Sequence, residues 1–194
     1  MKPRRMAGKQ AGFLMIEVLI TMFILLIGLL GVVGLQARAQ QAEAESYQRS
    51  QALMLLRDMA DRMNANRGNV ASYVTGTSGT AVMGTGTGKD CSGPTTMADQ
   101  DLCAWSAALV GAAESLGGTC NVATGANCVG AMIGARGCVS ELDATTKIYL
   151  IEVVWQGLSP TDKPPDSVDC GKDAYGAEEQ RRAVTTVVQI GNLG

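Results

Sequence analysis

Apolar residues run almost without interruption from Phe13 to Leu35, in the segment FLMIEVLITMFILLIGLLGVVGL, where Glu17 is the one ionisable residue. A bilayer core of about 30 Å needs about 20 apolar residues in a helix, so this segment is long enough to span it. No proline occurs between Pro3 and Pro94, and the chain from Gln36 to Asn66 is rich in Ala, Gln, Glu, Arg, Leu and Met, all good helix formers. The pattern predicts one unbroken helix from Phe13 to about Asn66, ~80 Å long at 1.5 Å per residue. Only its first half fits in lipid. In the second half Ala52, Leu56, Met59 and Met63 recur at spacings of four, three and four, with Leu55 alongside, while Arg57, Asp58, Asp61 and Arg62 occupy other faces. A stripe of this kind predicts a seat for a small domain rather than a ligand groove, because apolar residues at helical period usually pack a core.

Beyond Asn66 the pattern changes. Gly68 is a helix stop, and Thr75 to Gly88 is a Gly, Thr and Ser tract without periodicity, which predicts an exposed, mobile loop. A second, shorter helix is expected from Met97 to Leu116: Thr96 followed by Asp99 resembles a capping box, and Leu102, Trp105, Leu109 and Leu116 share one face. Gly117 and Gly118 would end it. The β-branched and aromatic run KIYLIEVVWQ, Lys147 to Gln156, reads as a central strand, with Tyr149, Ile151, Val153 and Trp155 alternating against Ile148, Leu150, Glu152 and Val154. RRAVTTVVQI, Arg181 to Ile190, is a second strand, and Cys138 to Ser140 a short third. The expected fold class is α+β, a small antiparallel sheet with one short helix seated on the long one. The intervening SPTDKPPDSVDCGKDAYG is a long loop; its Asp162, Asp166, Asp169 and Asp173 lack EF-hand spacing and read as a solvated acidic surface.

Six cysteines, Cys91, Cys103, Cys120, Cys128, Cys138 and Cys170, all follow the apolar segment. An even number in that position suits disulfides in an oxidising compartment. Zinc fits poorly, since no pair has C-x-x-C spacing and the chain has no histidine. A small sheet on one helix is a thin core, and cross-links offset that by restricting the unfolded chain, at roughly 2 to 4 kcal/mol each. Six cysteines permit 15 pairings, among which sequence does not choose. The sequential set, Cys91 with Cys103, Cys120 with Cys128 and Cys138 with Cys170, is carried forward as the working expectation.

The net charge is -2, but the first twelve residues carry four positive charges, Lys2, Arg4, Arg5 and Lys9, so the remainder stands at -6. A mildly acidic remainder argues against a nucleic-acid partner. The basic cluster before the apolar run, against QAEAESYQ after it, places residues 1–12 in the cytoplasm and the bulk of the chain outside. A secretory signal peptide cut after Ala39, at the A-x-A sequence Ala37-Arg38-Ala39, is the competing reading, but the apolar run exceeds the roughly 7 to 15 residues of a signal core. Glu17 also needs its own explanation. A carboxylate in hydrocarbon costs on the order of 2 to 3 kcal/mol, so it is expected to meet a partner charge or a protein interior.

The residues Gly12-Phe13-Leu14-Met15-Ile16-Glu17-Val18-Leu19 resemble the type IV prepilin processing motif: a glycine, an N-methylated aromatic and a glutamate five residues into the mature chain. The continuation IGLLGVVGLQ, Ile27 to Gln36, is similar to the PilV-like, pilus-modification minor pilins. The resemblance implies cleavage between Gly12 and Phe13 by a prepilin peptidase, N-methylation of Phe13, and Glu17 as the assembly charge that meets the new amino terminus of an adjacent subunit. It implies a leader at 1–12, a transmembrane and assembly segment at 13–35, an amphipathic helical half at 36–66 and a periplasmic or extracellular head at 67–194. The implied partners are other major and minor pilins, the peptidase and N-methyltransferase, and the assembly platform of the bacterial inner membrane. Gly28, Gly31 and Gly34 read as ordinary close-packing positions of a membrane helix rather than a hinge.

A structural assembly protein of type IV pili is the function this reading favours. A type II secretion pseudopilin shares the motif, and a secreted adhesin-like module cut after Ala39 is the alternative from another class. An enzyme fits least. There is no G-x-S-x-G, no histidine to serve as a base and no phosphate-binding loop, Gly84 to Gly88 being loop composition only. No cofactor is expected.

Overall fold

The computed structural model describes residues 15–78, 81–113, 115–122 and 124–191. The chain divides into two compact units, the first ending at Glu43 and the second beginning at Ala44. Helix α1 runs Met15–Ala65. A 3-10 segment, Arg67–Tyr73, follows it, then strand β1 (Met83–Gly84), helix α2 (Met97–Val110), strands β2 (Ile133–Asp143) and β3 (Ile148–Gln156), a 3-10 turn at Glu178–Gln180 and strand β4 (Arg181–Gln189).

In the second unit the sheet is antiparallel throughout, in the order β1-β2-β3-β4. β3 is an inner strand, and its alternation sorts the two faces. Tyr149, Ile151, Val153 and Trp155 enter one core with Ala52, Leu56, Met59 and Met63 of α1 and Leu102, Trp105 and Leu109 of α2. Val154 enters a second, smaller core with Val82, Cys138, Val168, Cys170 and Tyr175, under the loop that follows β3. A strand buried on both faces reads as a continuous apolar run, which is why KIYLIEVVWQ contains so little polarity.

Two hydrogen bonds fix the register of the head on its helix. Trp105 Nε1 donates to the Leu55 carbonyl at 2.9 Å, and Trp155 Nε1 donates to Gln48 Oε1 at 3.1 Å. A buried indole N–H needs such a partner, so both tryptophans are oriented by α1. Gln48 adds one turn to the buried stripe. At the other end Asp101 of α2 accepts from Arg62 at 2.9 Å and from the Tyr73 hydroxyl, tying α1, α2 and the 3-10 segment together.

Three expectations need correction. The second helix stops at Val110, not Leu116, because Gly111 takes the left-handed conformation (φ 74°) and its N–H caps the Ala107 and Ala108 carbonyls. Leu116 therefore lies off the buried face, 77% exposed. The short strand at Cys138–Ser140 is the middle of an eleven-residue strand, β2, whose two glycines hid it. At one of them, Gly137, a Cβ would collide with the Trp105 ring, so the glycine makes the seat for that indole. The Thr75–Gly88 tract is not simply exposed, since Val82, Met83 and Thr87 are buried and Met83–Gly84 pairs with β2. Thr96 does cap α2, accepting from the Asp99 N–H at 3.1 Å, but its hydroxyl also donates to the Asp99 carboxylate, at 2.8 Å.

Candidate assembly surface

In the first unit, every described residue of α1 is exposed, from Met15 through Glu43. Apolar side chains from Met15 to Leu35 present most of that surface, and among the described residues α1 is the one helix long and apolar enough to cross a membrane. Water is a poor solvent for such a surface, which is far larger than the apolar patches that monomeric soluble proteins expose. It requires lipid or other helices.

Glu17 lies in the first turn of α1 and is exposed. At helical spacing it shares a face with Thr21, Ile24, Gly28 and Gly31. Thr21 spends its hydroxyl on the Val18 carbonyl at 2.9 Å, so that face offers no other polar side chain near the carboxylate. Above Gly28, Gly31 and Gly34 nothing lies within 4 Å of where a Cβ would stand, which leaves room for a second helix to approach closely. Gly12 and Phe13, the two residues of the expected cleavage junction, lie outside the described residues.

The six cysteines form three pairs, Cys91–Cys103, Cys120–Cys128 and Cys138–Cys170, with Cα separations of 5.6, 4.6 and 5.8 Å. The first holds the segment before α2 against that helix, the second closes a surface turn, and the third ties β2 to the loop between β3 and β4. The four loop aspartates do not gather into a ligand set: Asp166 pairs with Lys163 at 2.8 Å, and Asp169 faces Glu152. Among the described residues, the one cluster of metal-type side chains is Cys138, Glu152 and Cys170. Its two sulfurs are bonded to each other, so it is not a thiolate metal site.

Glu152 is a functional candidate that sequence does not mark, since only the folded sheet shows that both faces of β3 are covered. It is 1% exposed, and burial followed by the nearby Asp169 carboxylate pushes its pKa up to about 7, against the opposing pull of Arg181 and the Cys170 amide. Arg181 is itself buried, bonded to Glu178 and to the Val168 and Cys170 carbonyls at 2.8 and 3.1 Å. Tyr73 is pushed up to about 12 by burial and by its hydrogen bond to Asp101.

A long apolar amino-terminal helix, a small antiparallel four-stranded sheet, one short helix and three disulfides are together consistent with a type IV pilin fold. Residues 34–108 match the family model described as Tt1218-like, type IV pilin Tt1218. The match supports the type IV pilin superfamily, whose members are structural, non-enzymatic proteins that associate with other pilus components. With the exposed apolar helix, it also supports membrane anchoring and association with a pilus. The match runs from within α1 through most of α2, and leaves the Gly12–Leu19 motif and strands β2 to β4 outside it. No curated protein and no solved structure matches the chain.

Proposed function

We propose that this chain is a minor pilin, held in the bacterial inner membrane by residues 13–35 with its head in the periplasm, and then drawn into a type IV pilus. The observation that carries the reading is the uninterrupted exposure of apolar residues from Met15 to Leu35 with a single carboxylate at Glu17 near the start. A prepilin peptidase removes residues 1–12, and Phe13 becomes the N-methylated first residue. Extraction from the membrane then exchanges lipid for other helices around the same apolar surface. That exchange is nearly neutral in hydrophobic energy, so close packing and the pairing of Glu17 with a neighbour's amino terminus decide it. Residues 36–66 carry the head, 67–194, outside the helical core of the fibre.

Mass spectrometry of sheared pili tests this directly. The expected result is this subunit in the pilus fraction, beginning at N-methylated Phe13. A mature chain beginning at Gln40, or one retaining Lys2 to Lys9 in cells with an active prepilin peptidase, would overturn the proposal. Loss of secretion rather than of piliation on deletion would point instead to a type II secretion pseudopilin.

A further inference from the structure

Glu152 stands across from Cys138 on β2 and Thr185 on β4, on the sheet face away from α1. The loop after β3 closes over this face, and its Cys170 is bonded to Cys138. The carboxylate and the two sulfurs all lie within 4.8 Å of one another, and Glu152 Oε1 has no hydrogen-bond partner among the described residues. An unpartnered buried polar atom destabilises a fold by roughly 1–3 kcal/mol, and the carboxylate's one backbone partner is the amide of Cys170 itself, on the loop that covers it. Nor does it form an ion pair among the described residues, although Arg181 lies near enough to attract it. Of the charged and titratable groups around it, Arg181 is committed to Glu178 and two loop carbonyls, and Arg136 to the Thr85 carbonyl and the Tyr175 ring. Tyr175 donates to the Gly134 and Val154 carbonyls, and Asp169 bears the same sign as the glutamate.

The cost makes sense if the carboxylate acts before the loop is closed. We propose that Glu152 is the internal base that closes the Cys138–Cys170 disulfide. Cys138 is fixed in β2 beside the carboxylate, whereas Cys170 sits on the incoming loop, where it meets a disulfide oxidant first. Cys170, its thiol proton lost to water, attacks one sulfur of the oxidant, whose S–S bond breaks as the mixed disulfide forms; the expelled oxidant thiolate is protonated by water. As the loop docks, Glu152 takes the proton from the Cys138 thiol. The Cys138 thiolate then attacks Cys170 Sγ, so that the Sγ–Sγ bond forms and the bond from Cys170 to the oxidant breaks. The second oxidant thiolate leaves with the electron pair and is protonated by water. The cysteine pair has lost two electrons, the oxidant has gained them, and the proton from Cys138 remains on Glu152 as the loop seals it. With the loop open the carboxylate is hydrated and ionised, and as the loop docks over it and brings Asp169 near, its affinity for a proton rises toward that of a thiol, which draws the Cys138 proton across.

The test is oxidative refolding of the full-length, fully reduced chain in detergent with glutathione disulfide, trapping thiols by alkylation and following each cysteine pair by peptide mass spectrometry. For Glu152→Gln the closure of Cys138–Cys170 is expected to slow at least about tenfold and to lose its inflection near neutral pH, a modest effect for a positioned base. Cys91–Cys103 and Cys120–Cys128 should close at unchanged rates in the same molecules. Glu152→Asp, which keeps the base, should retain a pH-dependent closure. An unchanged rate and pH profile in Glu152→Gln would overturn the proposal. So would equal slowing of all three pairs, which marks a structural role, or a pH-independent closure in Glu152→Asp.

Discussion

Apolar residues occur along the whole of α1, but their surroundings differ sharply between its two stretches. From Met15 to Leu35 they are all exposed, and no side chain of the described chain covers them. From Gln48 to Met63 the buried residues fall on one stripe, with Ala52, Met59 and Met63 fully removed from solvent. The arrangement of charge explains the difference. In the second stretch exposed Arg57 and Asp61 keep the outer face in water, while half-buried Arg62, and Glu45 just before the stretch, reach across to Asp101 and Arg182. The first stretch has no polar face at all. Its apolar surface is continuous around the helix, which suits surroundings that are apolar on every side, as lipid or a bundle of like helices provides. One stretch thus packs the head, and the other is left bare for apolar surroundings.

Substitutions separate the two roles by what they change. Trp105→Ala should produce the largest loss of head stability, about 3–5 kcal/mol, because it empties the space that Gly137 leaves for the indole and strips a partner from the Leu55 carbonyl. Thermal melting of the head would report it, and a loss below about 1 kcal/mol would mean that the α1 seat does not hold the fold. Removing Cys138 and Cys170 together should cost about 3.7 kcal/mol, since that bridge closes a sequence separation of 32, against about 2.5 kcal/mol for Cys120 and Cys128 at a separation of 8. Denaturant midpoints of the two double alanine variants give the ranking, and the reverse order would contradict the chain-entropy account.

The next effect is one of pH. Glu152 is raised in the fold from 4.5 to about 7. Below the lower value both states are protonated. Between the two the unfolded chain releases a proton that the fold retains, so stability falls as pH rises, by on the order of 2–3 kcal/mol, and levels off above the folded value. Glu152→Gln should abolish that fall, visible as a flatter dependence of melting temperature on pH. The smallest effect on the head is expected from Leu25→Ala in the exposed stretch, within about 0.5 kcal/mol. A larger destabilisation would show that the first stretch contributes to the head after all.

Much of this was legible in the sequence because it depends on period. The stripe at Ala52, Leu56, Met59 and Met63 and the alternation in KIYLIEVVWQ are repeated local signals, and the seat and the inner strand follow from them. β2 was largely hidden because Gly134 and Gly137 weaken strand propensity, and the reason for Gly137 lies on another element, in the ring of Trp105. The end of α2 required a choice between Gly111 and the Gly117-Gly118 pair, which local sequence does not make. Val82 and Met83 sit in a tract whose composition speaks of loop, and only tertiary contacts bury them, Val82 in the small core beneath the β3–β4 loop and Met83 in the main core that includes Leu102 and Trp105. At the candidate assembly surface Glu17 was legible as an isolated charge in an apolar run, whereas Glu152 was not, because a single strand does not reveal that both its faces are covered.

The most direct measurement compares wild type with Glu17→Ala, scoring the subunit in sheared pili against the processed pool in the inner membrane. The account predicts that the variant inserts, is cleaved and keeps the wild-type melting temperature of its head, yet falls at least about tenfold in the pilus fraction, the equivalent of about 1.4 kcal/mol of assembly energy. Incorporation at the wild-type ratio would contradict it, because the exposed stretch would then assemble without its carboxylate.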